Sequence, residues 1–224
     1  MSERFDRPYR GGGRRDSFPH VHEEDPPGTS RLFIAVPVAR EVRDGVGALM
    51  EQVADGPVDR RMPGQPRWVA VENLHITLRF LGSTPDTRQA EVAEVIAAVA
   101  ATARPFKVAL CGGGAFPNQY RPRVLWIGID EGTQQLAALE RRVDAELRAR
   151  GWQADDRPFA AHLTLARTDG VPGAADRARK LIEVARDVDL EWQVDSLVLY
   201  KSNLGHGPTH YEALATAPMT AGKA

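Results

Sequence analysis

From residue 31 onward the chain alternates between two apolar spacings, and the alternation predicts the order of its elements. Arg31-Leu-Phe-Ile-Ala-Val-Pro-Val38 is a short run rich in β-branched and aromatic residues, the mark of a buried strand ending near Pro37. Val42, Val46, Leu49, Met50 and Val53 then recur at three- and four-residue intervals, which predicts a helix over 39–54. A loop rich in Pro and Gly follows, then strands at 67–71 and 74–81. Ser83-Thr84-Pro85-Asp86 predicts a helix start with a hydroxyl cap, and Val92, Val95, Ile96 and Val99 carry that helix to about Thr102. The second half repeats the plan. Strands are expected at 106–111 and 123–130 around a Gly/Pro loop, a helix at 133–150 through Leu136, Leu139, Val143 and Leu147, and a strand at 161–167. A helix over 174–186 and strands at 190–201 and 210–216 close the chain. Two strand–helix halves of similar length predict two lobes sharing one fold.

Residues 1–30 break this pattern. They hold eight Gly or Pro and only five apolar or aromatic residues, too few to offset the entropy of ordering the chain. A disordered tail is expected over 1–30, with His20 and His22 solvated in it, then a single bilobal domain over 31–217 and a flexible end over 218–224. Among the 224 residues, 29 Lys and Arg nearly cancel 30 Asp and Glu, and 24 of each remain after residue 30. That balance excludes a global basic field, so any grip on nucleic acid must be local. The single cysteine, Cys111, excludes an intramolecular disulfide and a multi-cysteine zinc site, and suits a reducing compartment. No apolar run approaches membrane-spanning length, and the amino terminus lacks the apolar core of a secretion signal. The expectation is a cytoplasmic monomer without a membrane partner.

One repeated motif carries chemistry. Asn73-Leu-His75-Ile-Thr77-Leu78 and Ala161-His162-Leu-Thr164-Leu165 share the form His-apolar-Thr-apolar, 87 residues apart and once in each half. Alternate side chains of a strand face opposite sides, so each motif puts its His and Thr on one face and its apolar residues on the other. Two such strands side by side would present two imidazoles and two hydroxyls to a common cleft. Displacement at phosphorus needs one oxygen to lose a proton while another gains one. Imidazole, with an ordinary pKa near 6.5, can do either near neutral pH. Thr hydroxyls between the rings can donate to the non-bridging oxygens as negative charge develops. Two imidazoles without a nearby carboxylate or thiolate cluster fall short of a zinc site, and no glycine motif suggests a nucleotide cofactor: Gly112-Gly113-Gly114 lacks the strand–GxGxxG–helix context. No metal and no cofactor are expected.

Paired His-x-Thr-x motifs in a chain of this length resemble the 2H phosphoesterase superfamily, in particular its RNA 2′,3′-cyclic phosphodiesterase (2′-5′ RNA ligase) branch. Glu72-Asn-Leu-His-Ile-Thr-Leu-Arg-Phe-Leu-Gly82, Arg121-Pro-Arg-Val-Leu-Trp-Ile-Gly128 and Arg157-Pro-Phe-Ala-Ala-His-Leu-Thr-Leu-Ala-Arg167 carry the resemblance, together with Arg31–Val36 and Val194–Ser202; it covers about 31–217. It implies a bilobal α+β fold with pseudo-two-fold symmetry, two antiparallel-rich sheets facing a central cleft and helices outside. It also implies metal-independent hydrolysis of a terminal RNA 2′,3′-cyclic phosphate to a 2′-phosphate, with 2′-5′ ligation as the reverse reaction. On that pattern His75 is the proton donor, His162 the proton acceptor, and Thr77 and Thr164 hold the phosphate; the residues alone leave the two His roles open. The substrates implied are RNA ends, tRNA fragments among them, or small cyclic nucleotides, and a noncatalytic RNA-end binder is the alternative of a different class.

The resemblance makes Arg167 an additional phosphate-binding cation and Phe80 a base-contacting position. Strand alternation points the other way for both. Residues 162, 164 and 166 share a face, so Arg167 reaches the cleft only if the chain bends, and Phe80 belongs with Ile76 and Leu78 in the core. Arg121 and Arg123 flank an apolar strand as further phosphate contacts or plain surface residues. Trp68, Trp126, Trp152 and Tyr200 are available for stacking on bases or for the core. His206 and His210, beside Gly205, Gly207 and Pro208, read as turn residues.

Overall fold

The computed structural model describes residues 25–56, 58, 65–155, 157–169, 171–203 and 210–221. Strand β1 (Thr29–Pro37) leads to helix α1 (Arg40–Ala54), short β2 (Arg67–Trp68), a 3-10 turn (Val71–Asn73), β3 (His75–Pro85) and α2 (Gln89–Ala101). The second half runs β4 (Phe106–Phe116), β5 (Val124–Ile129), α3 (Thr133–Ala149), β6 (His162–Arg167), α4 (Ala174–Val184), β7 (Glu191–Val194), β8 (Ser196–Asn203) and β9 (His210–Pro218). The apolar faces read from the spacing are the buried ones: Val42, Val46, Leu49, Met50 and Val53 on α1, and Leu136, Leu139, Val143 and Leu147 on α3.

Two antiparallel sheets result, one ordered β3-β1-β8-β9 and the other β2-β6-β5-β4-β7. Leaving out β2, the orders correspond strand for strand: β3 with β6, β1 with β5. The His-x-Thr strands β3 and β6 therefore hold equivalent places, and they touch each other where the sheets meet. Helices cover the outer faces and cross between the halves. α2 packs on β8, β9 and α3, α3 packs on β3, and α4 packs on β4 and α1. Truncating a fully buried leucine of this shared core, such as Leu136 or Leu163, would cost about 2–5 kcal/mol.

Several joints differ from the spacing's prediction, each for a physical reason. β1 begins at Thr29, because Ser30 is buried and donates a hydrogen bond to Asp86 (2.6 Å). The expected tail is therefore shorter at its end, and residues 1–24 lie outside those described. Ser83 does not cap a helix: β3 continues through Pro85, Ser83 bonds the Thr29 hydroxyl (2.9 Å), and α2 starts at Gln89 without a side-chain cap. The expected strand 67–71 ends at Trp68, and the strand expected over 190–201 divides at Asp195, β7 pairing with β4 and β8 with β1 and β9. Apolar alternation cannot reveal a change of sheet. Gly112–Gly114 lie inside β4, where Gly112 has φ +52° at a bulge and Gly114 lies directly under the Trp126 indole, leaving no room for a Cβ. At the other end, Met219 is fully buried and Thr220 and Ala221 donate backbone hydrogen bonds to Ala100 and Ala103. The expected flexibility of 218–224 thus does not apply to 218–221. Among the described residues, no helix is long and apolar enough to cross a membrane.

Candidate active site

The same backbone device shapes both motif strands. In the β1–β3 register Ala35 pairs with Thr77 and Ile34 with Arg79, so Leu78 is left without a partner. In the β5–β6 register Trp126 pairs with Thr164 and Leu125 with Ala166, so Leu165 is left over. A bulge of one residue reverses the alternation beyond it. Phe80 consequently returns to the face of His75 and Thr77, opposite Phe33, and is 51% exposed. Plain alternation places Phe80 in the core; the bulge reverses that and leaves it exposed. Arg167 likewise returns to the face of His162 and Thr164, exposed and opposite Val124. This is the bend its reach into the cleft requires. The bulge also turns Arg79, and not Phe80, into the interior.

Each histidine is held in the same way. The ring Nδ1 of His75 lies 2.7 Å from the Asn73 carbonyl, and that of His162 lies 2.7 Å from the Ala160 carbonyl. A carbonyl only accepts, so Nδ1 carries the proton and donates it, leaving Nε2 as the reactive nitrogen of both neutral rings. At His75 the Thr77 hydroxyl donates to that Nε2 (3.0 Å). Aromatic rings frame both sites. Phe33 lies 4.8 Å from His75 and Tyr211 stands edge-on at 5.2 Å, with Tyr200 at 6.1 Å. Phe116 stands edge-on to His162 at 5.1 Å and Trp126 lies at 6.4 Å.

This packing sets the proton affinities. Burial lowers the His75 pKa to about 4; the Asn73 carbonyl opposes the shift, and a charge on His162 lowers it further. Burial also holds His162 below the usual histidine range, against the Ala160 carbonyl. The charge of His162 is thus felt at His75. Arg167, from the second half, is close enough to Tyr211 for its charge to act on that hydroxyl, and Tyr211 packs on His75. Burial raises the pKa values of Tyr200 and Tyr211, keeping both as neutral donors.

The structure thus sets His75, Thr77 and Phe80 on one face of β3, and His162, Thr164 and Arg167 on one face of β6. The two strands are in contact, and a charge on His162 acts on His75. Arg123 is exposed one residue before β5, on the alternation opposite to Trp126, and is not drawn into this group. Trp68 is buried core, Tyr200 and Trp126 border the histidines, and Trp152 lies under the Arg88 guanidinium at 4.0 Å. His206 lies outside the described residues, while His210 opens β9. Phe33, Phe116 and Tyr211 gave no sign in the sequence, since an aromatic residue in a strand gives the same signal in a core as beside a histidine ring. Nor did the sequence mark a groove of about 400 Å³ beside Phe80, lined by Arg88, Trp152 and Arg157, with the Arg157 guanidinium 5.9 Å from the Phe80 ring. Among the described residues, no three His, Cys, Asp or Glu side chains cluster as metal ligands would.

A family profile, that of the 2′-5′ RNA ligase superfamily, matches residues 37–206. A Geobacillus stearothermophilus protein named RNA 2′,3′-cyclic phosphodiesterase is 35% identical over 191 residues, 85% of this chain; the match spans 57% of that relative's own length. An Archaeoglobus fulgidus protein of the same name is 37% identical over 151 residues, 67% of this chain and 80% of the relative. A crystal structure of a Thermus thermophilus protein superposes with a TM-score of 0.65 at 28% identity, covering 84% of this chain and 97% of that one. Escherichia coli LigT complexed with 3′-AMP shares the fold, with a TM-score of 0.63 at 23% identity over 86% of this chain and 99% of that one.

Proposed function

The chain belongs to the 2′-5′ RNA ligase superfamily of 2H phosphoesterases, and on that premise we propose that it is an RNA 2′,3′-cyclic phosphodiesterase working by paired-histidine acid–base catalysis. The observation that carries the reading is a pair of imidazoles, one from each sheet on strands in contact, each with Nδ1 tied to a carbonyl and Nε2 left to exchange a proton. A binding site has no need of two matched titratable groups; an in-line displacement has.

In the proposed reaction the cyclic phosphate sits between the rings. His162 Nε2 accepts a proton from water as the water oxygen attacks phosphorus. The bond from phosphorus to the 3′ oxygen breaks, and His75, protonated at Nε2, gives its proton to that oxygen, leaving a 2′-phosphate. Thr77, Thr164 and Arg167 donate to the non-bridging oxygens as charge accumulates there. Bound phosphate supplies the negative charge that restores a proton to a ring whose free pKa is low. The roles exchange in the reverse direction, which would join a 5′-hydroxyl end to the cyclic phosphate in a 2′-5′ bond. Phe80 and the groove beside it supply a stacking face for the neighbouring base of an RNA chain.

The test is incubation of the purified protein in excess EDTA with an oligoribonucleotide ending in a 2′,3′-cyclic phosphate. The expected product is the 2′-phosphate; a 3′-phosphate would reverse the assignment of the leaving oxygen, and an unchanged substrate would refute the reading.

A further inference from the structure

Arg79 is the only charged side chain among the described residues that is fully buried, at 5% exposed, and it follows His75 by four residues on the same strand. Its partners all come from the other half of the chain. Nη1 lies 3.4 Å from an Asp144 oxygen on α3 and 3.4 Å from an Asp155 oxygen, and Nη2 donates to the Gln153 carbonyl. Asp155 in turn accepts from the Arg157 backbone N–H (3.1 Å) and from its guanidinium (3.0 Å). Arg157 stands three residues before Ala160, whose carbonyl orients the His162 ring.

We propose that Arg79 is a positioning residue: by holding Gln153 and Asp155, a few residues before Ala160, it fixes the approach to His162 against the strand that carries His75. The inference rests on the proposed reaction. Packing alone does not need a buried guanidinium here, since a well-packed apolar side chain is often as stable as a buried ion pair. What an apolar residue cannot do is donate a hydrogen bond to the Gln153 carbonyl while its charge holds the Asp155 carboxylate of the same loop. A misplacement of about 1 Å at a reacting group costs on the order of 10²-fold in rate, so a device holding two distant histidines in register has a catalytic consequence.

Replacing Arg79 itself strands two carboxylates and risks the fold, so the discriminating variants are the two aspartates. Both lie at the same distance from Arg79, yet only Asp155 belongs to the segment leading to His162. Asp155→Asn is expected to lower kcat by about tenfold or more with KM within about twofold, and to move the His162 titration followed by NMR. Asp144→Asn is expected to leave kcat, KM and that titration near wild type while losing similar thermal stability. Equal effects of the two variants on kcat and on the His162 titration, or no effect of Asp155→Asn, would overturn the proposal. Should the wild-type protein fail to open a cyclic phosphate, the reaction assignment falls, and the His162 titration in the same two variants still decides the positioning role.

Discussion

Phe80 and Arg167 are structural equivalents: each stands five residues beyond its strand's histidine, and each is turned onto the histidine face by one unpaired leucine, Leu78 or Leu165. The two halves thus use one backbone device to present different side chains, an aromatic ring on one side of the cleft and a cation on the other. A phosphate end with a base attached has the same polarity. The arrangement gives the cleft a direction.

Two substitutions test these proposed roles. If Arg167 donates to the phosphate, as proposed, Arg167→Gln should raise KM about tenfold or more for every substrate. Phe80→Ala should lower kcat/KM by about 5- to 100-fold on a cyclic-phosphate oligonucleotide, the range of one lost stacking contact. It should change kcat/KM much less on a 2′,3′-cyclic mononucleotide. Steady-state kinetics on both substrates checks the pair, and equal losses for Phe80→Ala on the two would contradict the stacking role.

The pH dependence follows from burial. Both histidines are held below their usual pKa, His75 at about 4, so both rings are largely neutral in the free protein at neutral pH. The productive form needs one ring protonated, and its population falls as pH rises past those values. Accordingly kcat/KM should increase as pH is lowered from 8 to 6, reporting the free enzyme. A profile that rises toward alkaline pH would contradict the lowered pKa values.

The same shifts bear on stability. A histidine whose folded pKa is depressed contributes stability that is complete above its unfolded value near 6.5 and is lost as pH falls toward about 4. Replacing His75 with Gln should therefore shrink the drop in Tm between pH 7 and pH 4.5 by several degrees, measured by calorimetry. An unchanged drop would place the acid sensitivity elsewhere.

Gly114 connects packing to the site. A methyl group there meets the Trp126 ring that borders His162. Gly114→Ala should cost about 1–3 kcal/mol in chemical denaturation and should also lower kcat, because the ring it displaces frames the histidine. Wild-type stability would show that Trp126 has another place to go.

The candidate site was legible in the sequence because His75, Thr77, His162 and Thr164 form a period-two pattern occurring twice, and strand geometry puts the His and Thr of each copy on one face. The helices were legible for the same reason: Val42 through Val53 and Leu136 through Leu147 repeat at helical spacing. What stayed hidden depended on pairing. The bulges at Leu78 and Leu165 leave no mark in apolar spacing, and plain alternation therefore places Phe80 in the core and keeps Arg167 off the histidine face. The division at Asp195 and the ordering of Met219 are set by which strand or helix lies alongside. Arg79 gave no signal at all, since its partners Asp144 and Asp155 are more than sixty residues away.

The central claim is that His75 and His162 act as one unit on one phosphorus, and a double-mutant cycle on cyclic-phosphate opening tests it most directly. Each of His75→Ala and His162→Ala should reduce kcat by about 10²-fold or more, and the double variant should be little worse than either alone, because residues acting as a unit are not additive. Strictly multiplicative losses, or substantial activity in the double variant, would contradict it.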